Sequence, residues 1–171
     1  MNEKNKEVMS GLFMFLVDIL MLLASIGGVV WGIIKTNADS SALSIASIVA
    51  GAVLFIVWCI FTGGFFTLQP NEAAVLILFG EYKGTVRKSG WHFANPFYTK
   101  KKISLRSRNL NGEKLKVNDE AGNPIEIAAV VVWRVDNTYQ AVFDVENYVD
   151  YVKVQSESAI RHIAGMYPYD I

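Results

Sequence analysis

Residues 11–34 read GLFMFLVDILMLLASIGGVVWGII, and residues 40–66 read SSALSIASIVAGAVLFIVWCIFTGGFF. Asp18 is the only charged residue in the first stretch, and the second stretch has none. Both exceed the roughly 20 residues that an apolar helix needs to cross about 30 Å of hydrocarbon. Asp18 costs about 3 kcal/mol at the membrane centre, whereas each surrounding Leu, Ile, Val or Phe contributes about 0.3–0.6 kcal/mol to insertion. The sequence therefore predicts two membrane-spanning helices over residues 11–66, after a tail of residues 1–10.

The connection between the two predicted spans is short, since it consists of residues 35–39 only. We therefore expect an antiparallel helical hairpin. Small residues four apart allow helices to approach closely in lipid, and the chain offers two such pairs: Gly28 with Gly32, and Ser47 with Gly51. Small residues are also common in membrane helices that do not pack this way, so both interpretations stay open.

Asp18 is an ionisable residue inside a predicted span, and such residues are functional candidates. The spans contain no second ionisable group with which it would form a proton or ion relay. A hydrogen bond to the neighbouring helix, or to a helix of another protein, is the favoured use of Asp18.

The orientation in the membrane follows from the basic residues in the flanks. Lys4, Lys6 and the N-terminal amine precede the first span, and Lys35 alone lies between the spans. The positive-inside rule predicts a cytoplasmic N-terminus, so two crossings return the following domain to the cytoplasm. We expect a multi-pass protein of the cell membrane. A signal peptide is the alternative, but the first apolar run is longer than the usual core of about 7–15 residues and lacks a clear cleavage site.

Residues 67–171 suffice for one domain with its own core. Strands are predicted at residues 73–79 and 82–86, and extended structure at residues 103–117. Apolar side chains then alternate from Ile125 to Val135, which predicts one eleven-residue central strand of an antiparallel sheet. Helices are predicted at residues 138–143 and 147–166. Strands followed by helices predict an α+β domain.

An aromatic and basic segment lies near the start of this domain. It contains Trp91, Phe93, Phe97 and Tyr98, followed by Lys100, Lys101 and Lys102. Aromatic rings with a polar edge settle at the depth of lipid headgroups, and each lysine near anionic lipid contributes about 1 kcal/mol. The segment therefore predicts a membrane interface that binds anionic headgroups. The competing interpretation, in which the aromatics form a core and the lysines a solvated strand edge, stays open.

The charge of the domain is divided along the chain, although the net charge of the protein is zero. Residues 83–116 contain ten basic residues and one acidic residue, whereas residues 117–171 contain three basic and nine acidic residues. This division predicts a basic face toward lipid and an acidic face toward the cytosol. Nucleic acid is not expected as a partner, because no stacking or helix-turn-helix motif accompanies the basic segment.

The inventory of reactive side chains is small, and we predict no catalytic residue, no metal site and no cofactor. Cys59 is the single cysteine and lies within the second span, which leaves no thiol cluster for zinc. His92 and His162 belong to no catalytic motif. Glu157 and His162 are five residues apart on a predicted helix, a poor spacing for joint metal ligation.

The string GEYKGTVRKSGWHFANPF, residues 80–97, resembles the opening of the SPFH or band 7 domain found in stomatins, prohibitins, flotillins and Hfl-type proteins. The lead-in LQPNEA, residues 68–73, is similar to that of the family, with Asn71 at a position where the family generally has glycine. Residues 106–117, NDEAGNPIEIAAVVVWRVDN at 118–137 and AIRHIAGMYPYD at 159–170 fit the same domain in order.

The resemblance implies an α+β domain whose first part lies on the membrane. It also implies an oligomeric, non-enzymatic scaffold that organises lipids or controls membrane proteins, including proteases. The alternative is a regulatory subunit that docks on one membrane protease or transporter through Asp18 and the hairpin. Most relatives have a single membrane segment and continue into a long charged helix that drives assembly. The sequence ends at Ile171, so the chain is either a fragment or one whose oligomerisation is weakened.

Overall fold

The computed structural model describes residues 3–38 and 42–169 of the 171-residue chain. Two long helices, α1 (Gly11–Ala38) and α2 (Ala42–Thr62), pack as a hairpin. Both are long and apolar enough to cross a membrane. Antiparallel sheets and two shorter helices follow, which confirms the predicted α+β fold class. The first helix extends further than expected and includes Lys35. Asp39, the last residue of the predicted connection, and Ser40, the first residue of the second predicted span, lie outside the described residues.

The described residues form two compact units: residues 4–102, and Glu3 together with residues 103–169. In the first unit the strands are β1 (Met9–Ser10), β2 (Phe65–Leu68), β3 (Glu72–Leu78), β4 (Glu81–Val86) and β5 (Gly90–Phe93), with β6 (Thr99–Ser104) at its end. One sheet has the order β1-β5-β2 and another has the order β4-β3-β6. The predicted strands at 73–79 and 82–86 correspond to β3 and β4.

The core of the first unit lies against β2 and β3. Residues 73–76 of β3 are fully buried, because this strand is covered on both faces, as its unbroken apolar sequence predicts. The core cluster consists of Phe66, Leu68, Ala74, Leu76, Val86 and Ala94, with Val8 and Tyr98 packed against it. Since Val8 belongs to the predicted N-terminal tail, this tail contributes to the folded unit.

The turns beside β3 explain how Asn71 replaces a glycine. Asn71 has φ +60°, the left-handed region that asparagine tolerates better than most residues. The backbone N–H of Glu72 donates to the carbonyl of Gln69 at 3.1 Å and closes this turn. At the other end of β3, Phe79 (φ +48°) and Gly80 (φ +87°) form the tip of the β3–β4 hairpin. Two successive positive φ values are typical of a tight hairpin turn.

In the second unit, the prediction of one long strand at residues 125–135 is wrong, because two short strands lie there instead. β9 (Pro124–Ile127) pairs with β8 (Leu115–Asn118), and β10 (Val130–Trp133) pairs with β7 (Arg108–Asn111), both antiparallel. Each pair is a two-stranded sheet, so neither β9 nor β10 is a central strand.

An extra residue in one arm of this hairpin causes the break. Three residues, 112–114, lie between β7 and β8, opposite the two residues 128 and 129 between β9 and β10. Such a one-residue mismatch interrupts a ladder and bends it, as in a β-bulge. The Gly112 N–H donates to the Ala129 carbonyl at 2.9 Å, and a Cβ on Gly112 would lie 2.9 Å from that oxygen. Glycine therefore allows the two arms to stay close at the break.

The two C-terminal helices each begin directly after an asparagine N-cap. In α3 (Thr138–Phe143) the Asn137 side chain accepts from the backbone N–H of Gln140 at 3.1 Å. In α4 (Tyr148–Ala164) the Asn147 side chain accepts from Val149 at 3.0 Å. Asparagine is among the preferred N-cap residues because it satisfies amides that have no partner within the helix. Both helices agree with the sequence prediction to within two residues.

Candidate membrane interface

Strand β5 is held between two strands that join directly to the helical hairpin. On one side β1 pairs with it, with Ser10 opposite His92, and Ser10 is followed at once by α1. On the other side β2 pairs with it, with Phe66 opposite His92, and only Gly63 and Gly64 separate β2 from α2. The paired ends of the two helices therefore hold β5 from both sides.

The rings of this region form a connected cluster, which we call the aromatic junction: Phe15, Phe61, Phe65, Trp91 and Phe93. Ring centroids are 4.5 Å apart for Phe61–Phe93, 5.0 Å for Phe65–Phe93, 5.3 Å for Phe15–Trp91 and 5.4 Å for Phe65–Trp91. These distances suit favourable aromatic pairs, each worth about 0.5–1.5 kcal/mol beyond burial. The junction joins α1 and α2 to β2 and β5.

A close approach at Gly11 makes the junction possible on the α1 side. A Cβ at this position would lie 2.6 Å from Cγ of Trp91 and 2.8 Å from the Trp91 carbonyl carbon. No larger residue fits without displacing the indole or the backbone of β5. The first residue of α1 therefore lies directly against β5.

The four predicted interface aromatics differ in exposure. Phe93 is buried in the aromatic junction, with 7% of its surface exposed. Trp91 is 39% exposed and Phe97 is 59% exposed. Tyr98 is half-buried and its hydroxyl accepts a hydrogen bond of 2.7 Å from Lys6 Nζ, which also lies 4.6 Å from the ring centroid. Only Trp91 and Phe97 present apolar ring surface outward.

The three consecutive lysines also differ. The Lys100 ammonium donates to the carbonyl of Gly63 at 2.6 Å, directly after the end of α2. A cation there complements the partial negative charge of a helix C-terminus. Burial lowers the pKa of Lys100, because desolvation penalises its charged form. Lys101 and Lys102 are exposed. Lys100 therefore fastens β6 to the hairpin, and the other two lysines are directed to the surroundings.

The small residues of the hairpin lie where α1 and α2 touch. A Cβ on Gly28 would lie 3.6 Å from Cα of Gly51, and one on Gly32 would lie 2.6 Å from Cγ1 of Ile48. Ser47 donates its hydroxyl to the Ser44 carbonyl at 2.8 Å. Asp18 is buried, with only 6% of its surface exposed.

The two histidines have unlike surroundings. His92 is 7% exposed, and its ring centroid lies 5.7 Å from that of Phe66, with the two rings tilted by 42°. Its Nε2 lies 2.7 Å from the carbonyl oxygen of Lys88. His162 is exposed on α4. Within residues 3–38 and 42–169, no three His, Cys, Asp or Glu side chains lie together as a metal-binding group.

Asp119 organises the second unit at the β8–β9 turn. Its carboxylate accepts from the Asn123 backbone at 2.6 Å, from the Asn123 side chain at 3.1 Å and from the Tyr169 backbone at 3.3 Å. Burial acts to raise the pKa of Asp119, but these hydrogen bonds and one from the Ala121 backbone outweigh it, so the pKa lies below its usual value. The carboxylate thereby ties the segment after α4 to the turn.

Sequence reasoning missed the partners that the interface aromatics find in the hairpin. In the sequence, nothing distinguishes Phe15, Phe61 and Phe65 from the other apolar residues of the two spans. Lys6 was considered only as a basic residue that helps to set the orientation in the membrane. The positions of these rings in the sequence could have indicated a shared role, because all three lie within a few residues of the ends at which the hairpin meets the domain. Aromatic residues are enriched at such depths.

Comparison with known families gives one match over the greater part of the chain. A family model described as "SPFH domain / Band 7 family" matches residues 66–170, which is 105 of 171 residues. The match begins within β2 and includes every later strand and both C-terminal helices. No curated protein matches the chain.

Proposed function

The chain belongs to the SPFH domain / Band 7 family, and from this premise we propose that it is a non-enzymatic scaffold that assembles at the bilayer surface and organises lipids or membrane proteins. The family consists in general of membrane-associated, oligomer-forming scaffolds. The proposal for this chain adds a surface and a mode of action. The surface consists of Trp91, Phe97, Lys101 and Lys102, and it acts on anionic lipid headgroups.

The observation that carries the proposal is the position of β5 between β1 and β2. Both flanking strands continue within two residues into helices long enough to span a bilayer. When these helices cross a membrane, β5 and the aromatic junction lie at the depth where the helices leave the hydrocarbon. Trp91 and Phe97 then meet the headgroup layer, which suits exposed aromatic rings.

The charged residues of this surface support the same mode of action. Lys101 and Lys102 are exposed, and each lysine close to an anionic leaflet contributes about 1 kcal/mol of attraction. A scaffold that exposes several such residues in each copy would gather anionic lipids around an assembly. The effect would weaken with salt, because the Debye length is about 8 Å at physiological ionic strength.

Pairing of the N-terminal segment supports the cytoplasmic orientation. Asn5 forms a bridge with Thr85, and Met9 lies opposite Phe93, so the N-terminus and the β-sheet lie at the same end of the hairpin. The end of the hairpin that carries the sheet then has five basic residues nearby, and the other end has Lys35 alone. The five are Lys4, Lys6, Lys83, Arg87 and Lys88. This distribution favours the cytoplasmic side under the positive-inside rule.

The test is lipid enrichment around the full-length protein in vesicles of neutral and anionic lipids, measured by energy transfer to a labelled anionic lipid. Replacing Lys101 and Lys102 with glutamine removes about 2 kcal/mol of attraction, or about 30-fold in the preference for anionic lipid. Arg161→Gln, at an exposed basic residue of α4 within the acidic residues 117–171, is the control. Equal enrichment around all three proteins would contradict the proposal.

The alternative of a regulatory subunit is separated from the scaffold by pull-down in mild detergent. A scaffold recovers many substoichiometric membrane proteins together with anionic lipid. A dedicated regulator recovers one protease or transporter at a fixed ratio, and that result would replace the scaffold proposal.

A further inference from the structure

The contact between α1 and α2 follows a seven-residue repeat. The buried positions of α1 include Gly11, Asp18, Ser25 and Gly32, and those of α2 include Ser44 and Gly51, with Trp58 partly buried at the next step. Seven residues are nearly two turns of an α-helix, so residues spaced in this way share one face. In an antiparallel pair with this repeat, each buried residue of α1 lies opposite one buried residue of α2, and we call each such pair a layer.

Two layers of this seam are fixed by direct contacts. The Ser25 hydroxyl donates to the Gly51 carbonyl at 2.9 Å, and a Cβ on Gly32 would lie 3.0 Å from the Ser44 carbonyl. The two layers differ by seven positions on each helix, from Gly32 to Ser25 on α1 and from Ser44 to Gly51 on α2. The same step again reaches Asp18 and Trp58, which makes them the third layer.

The third layer contains two buried polar atoms of complementary kind. Among the described residues, three buried side-chain atoms have no hydrogen-bond partner, and Asp18 Oδ1 and Trp58 Nε1 are two of them. The carboxylate oxygen is an acceptor and the indole N–H is a donor. A buried polar group without a partner costs about 1–3 kcal/mol, so two such groups in one layer gain by pairing.

We propose that the Trp58 indole N–H donates to the Asp18 carboxylate, directly or across one water molecule, and that this pair fixes the register of the hairpin. A buried donor and acceptor on facing helices favour one alignment, because any slip of the helices separates donor from acceptor. The pair lies one turn from Phe15 on α1 and from Phe61 or Thr62 on α2. It therefore fixes the alignment of the hairpin at the end that carries the aromatic junction.

The first test observes the indole N–H signals of full-length protein in nanodiscs with labelled tryptophan. Trp58→Phe removes one of the four tryptophan signals and identifies it. Asp18→Ala is expected to shift that signal more than the other three, and Asp18→Asn, which keeps an acceptor oxygen, is expected to shift it less. Ser25→Ala is the matched control, because it removes a hydrogen bond one layer away. A Trp58 signal that Asp18→Ala leaves in place would overturn the pair.

The second test is a double-mutant cycle of Asp18→Asn and Trp58→Phe on unfolding of the hairpin in denaturing detergent. Hydrogen bonds between membrane helices are worth on average about 0.6 kcal/mol, or about threefold in the unfolding equilibrium constant for a fully broken bond. Asparagine retains an acceptor, so the cycle is repeated with Asp18→Ala, which removes it. Coupling between Asp18→Ala and Trp58→Phe supports the pair, and exact additivity of these two changes contradicts it. Neither test depends on lipid enrichment, so this inference and the scaffold proposal fail separately.

Discussion

Replacing Phe93 with alanine is expected to destabilise the first unit strongly, whereas the same replacement at Phe97 is not. The two phenylalanines are four residues apart but differ in surroundings. Phe93 is 7% exposed and lies 4.5 Å from the Phe61 ring centroid, whereas Phe97 is 59% exposed. The comparison therefore separates a ring that holds the junction together from a ring available to lipid.

The magnitude follows from burial. Removing a buried phenylalanine side chain costs about 3–5 kcal/mol, and in a chain of this size each kcal/mol lowers the melting temperature by about 2–4 °C. Phe93→Ala should therefore lower it by about 6–20 °C. An exposed substitution changes stability by about 0.5 kcal/mol or less, so Phe97→Ala should shift the melting temperature by at most about 2 °C.

Thermal unfolding of the full-length protein in nanodiscs, followed by near-ultraviolet circular dichroism, measures both variants. The double variant Phe61→Ala with Phe93→Ala should lose less than the sum of the two single changes, because the rings share one contact. Equal shifts for Phe93→Ala and Phe97→Ala, or a larger shift for Phe97→Ala, would refute the aromatic junction as the joint between hairpin and sheet.

Three further predictions concern pH, the strand break and topology. The lowered pKa of Asp119 means that its contribution to stability is complete above about pH 4 and is lost as the pH falls below this through the folded-state pKa. The melting temperature of the wild type should therefore fall more steeply than that of Asp119→Asn as the pH is lowered from about 4 to about 2. Gly112→Val should destabilise the β7–β10 pairing by about 1–3 kcal/mol, since the added atoms meet the Ala129 carbonyl. Gly165→Ala serves as the comparison in hydrogen exchange of the strands, because Gly165 has φ −75° and an added Cβ would meet its nearest atoms at 3.8 Å. A thiol at Ser107→Cys in a Cys59→Ala background should be labelled from the cytoplasmic side only, and labelling in intact cells by an impermeant reagent would reverse the proposed orientation.

The elements that sequence predicts well are those set by local patterns. The two apolar helices follow from length and composition, and the starts of α3 and α4 follow from Asn137 and Asn147 as caps. The turn at Asn71 follows from a residue that tolerates positive φ. Each of these signals lies within a few residues of the structure it specifies.

The features that sequence reasoning missed depend on contacts between distant residues. Met9 pairs with Phe93, more than eighty positions away, and two residues of strand are too few for a periodic signal. The break at residues 128–129 depends on the extra residue in the opposite arm, 112–114, which the alternation after Ile125 does not reveal. The hydrogen bond from Lys100 to the Gly63 carbonyl likewise joins residues from separate parts of the chain. The sequence alone therefore does not distinguish Lys100, which binds the hairpin, from the exposed Lys101 and Lys102.

The position of β5 at the headgroup layer is tested most directly by the fluorescence of Trp91. Trp31 and Trp133 are replaced by phenylalanine, Trp58 is kept because of its proposed pairing with Asp18, and the protein is placed in bilayers containing lipids brominated at shallow acyl positions. The emission of the same protein with Trp91→Phe, which comes from Trp58, is subtracted. Because Trp91 is expected to lie at the headgroup layer, these lipids should quench its fluorescence strongly and aqueous acrylamide should quench it weakly. Fluorescence that responds fully to acrylamide and not to the brominated lipids would show that β5 faces water, and would contradict the proposed interface.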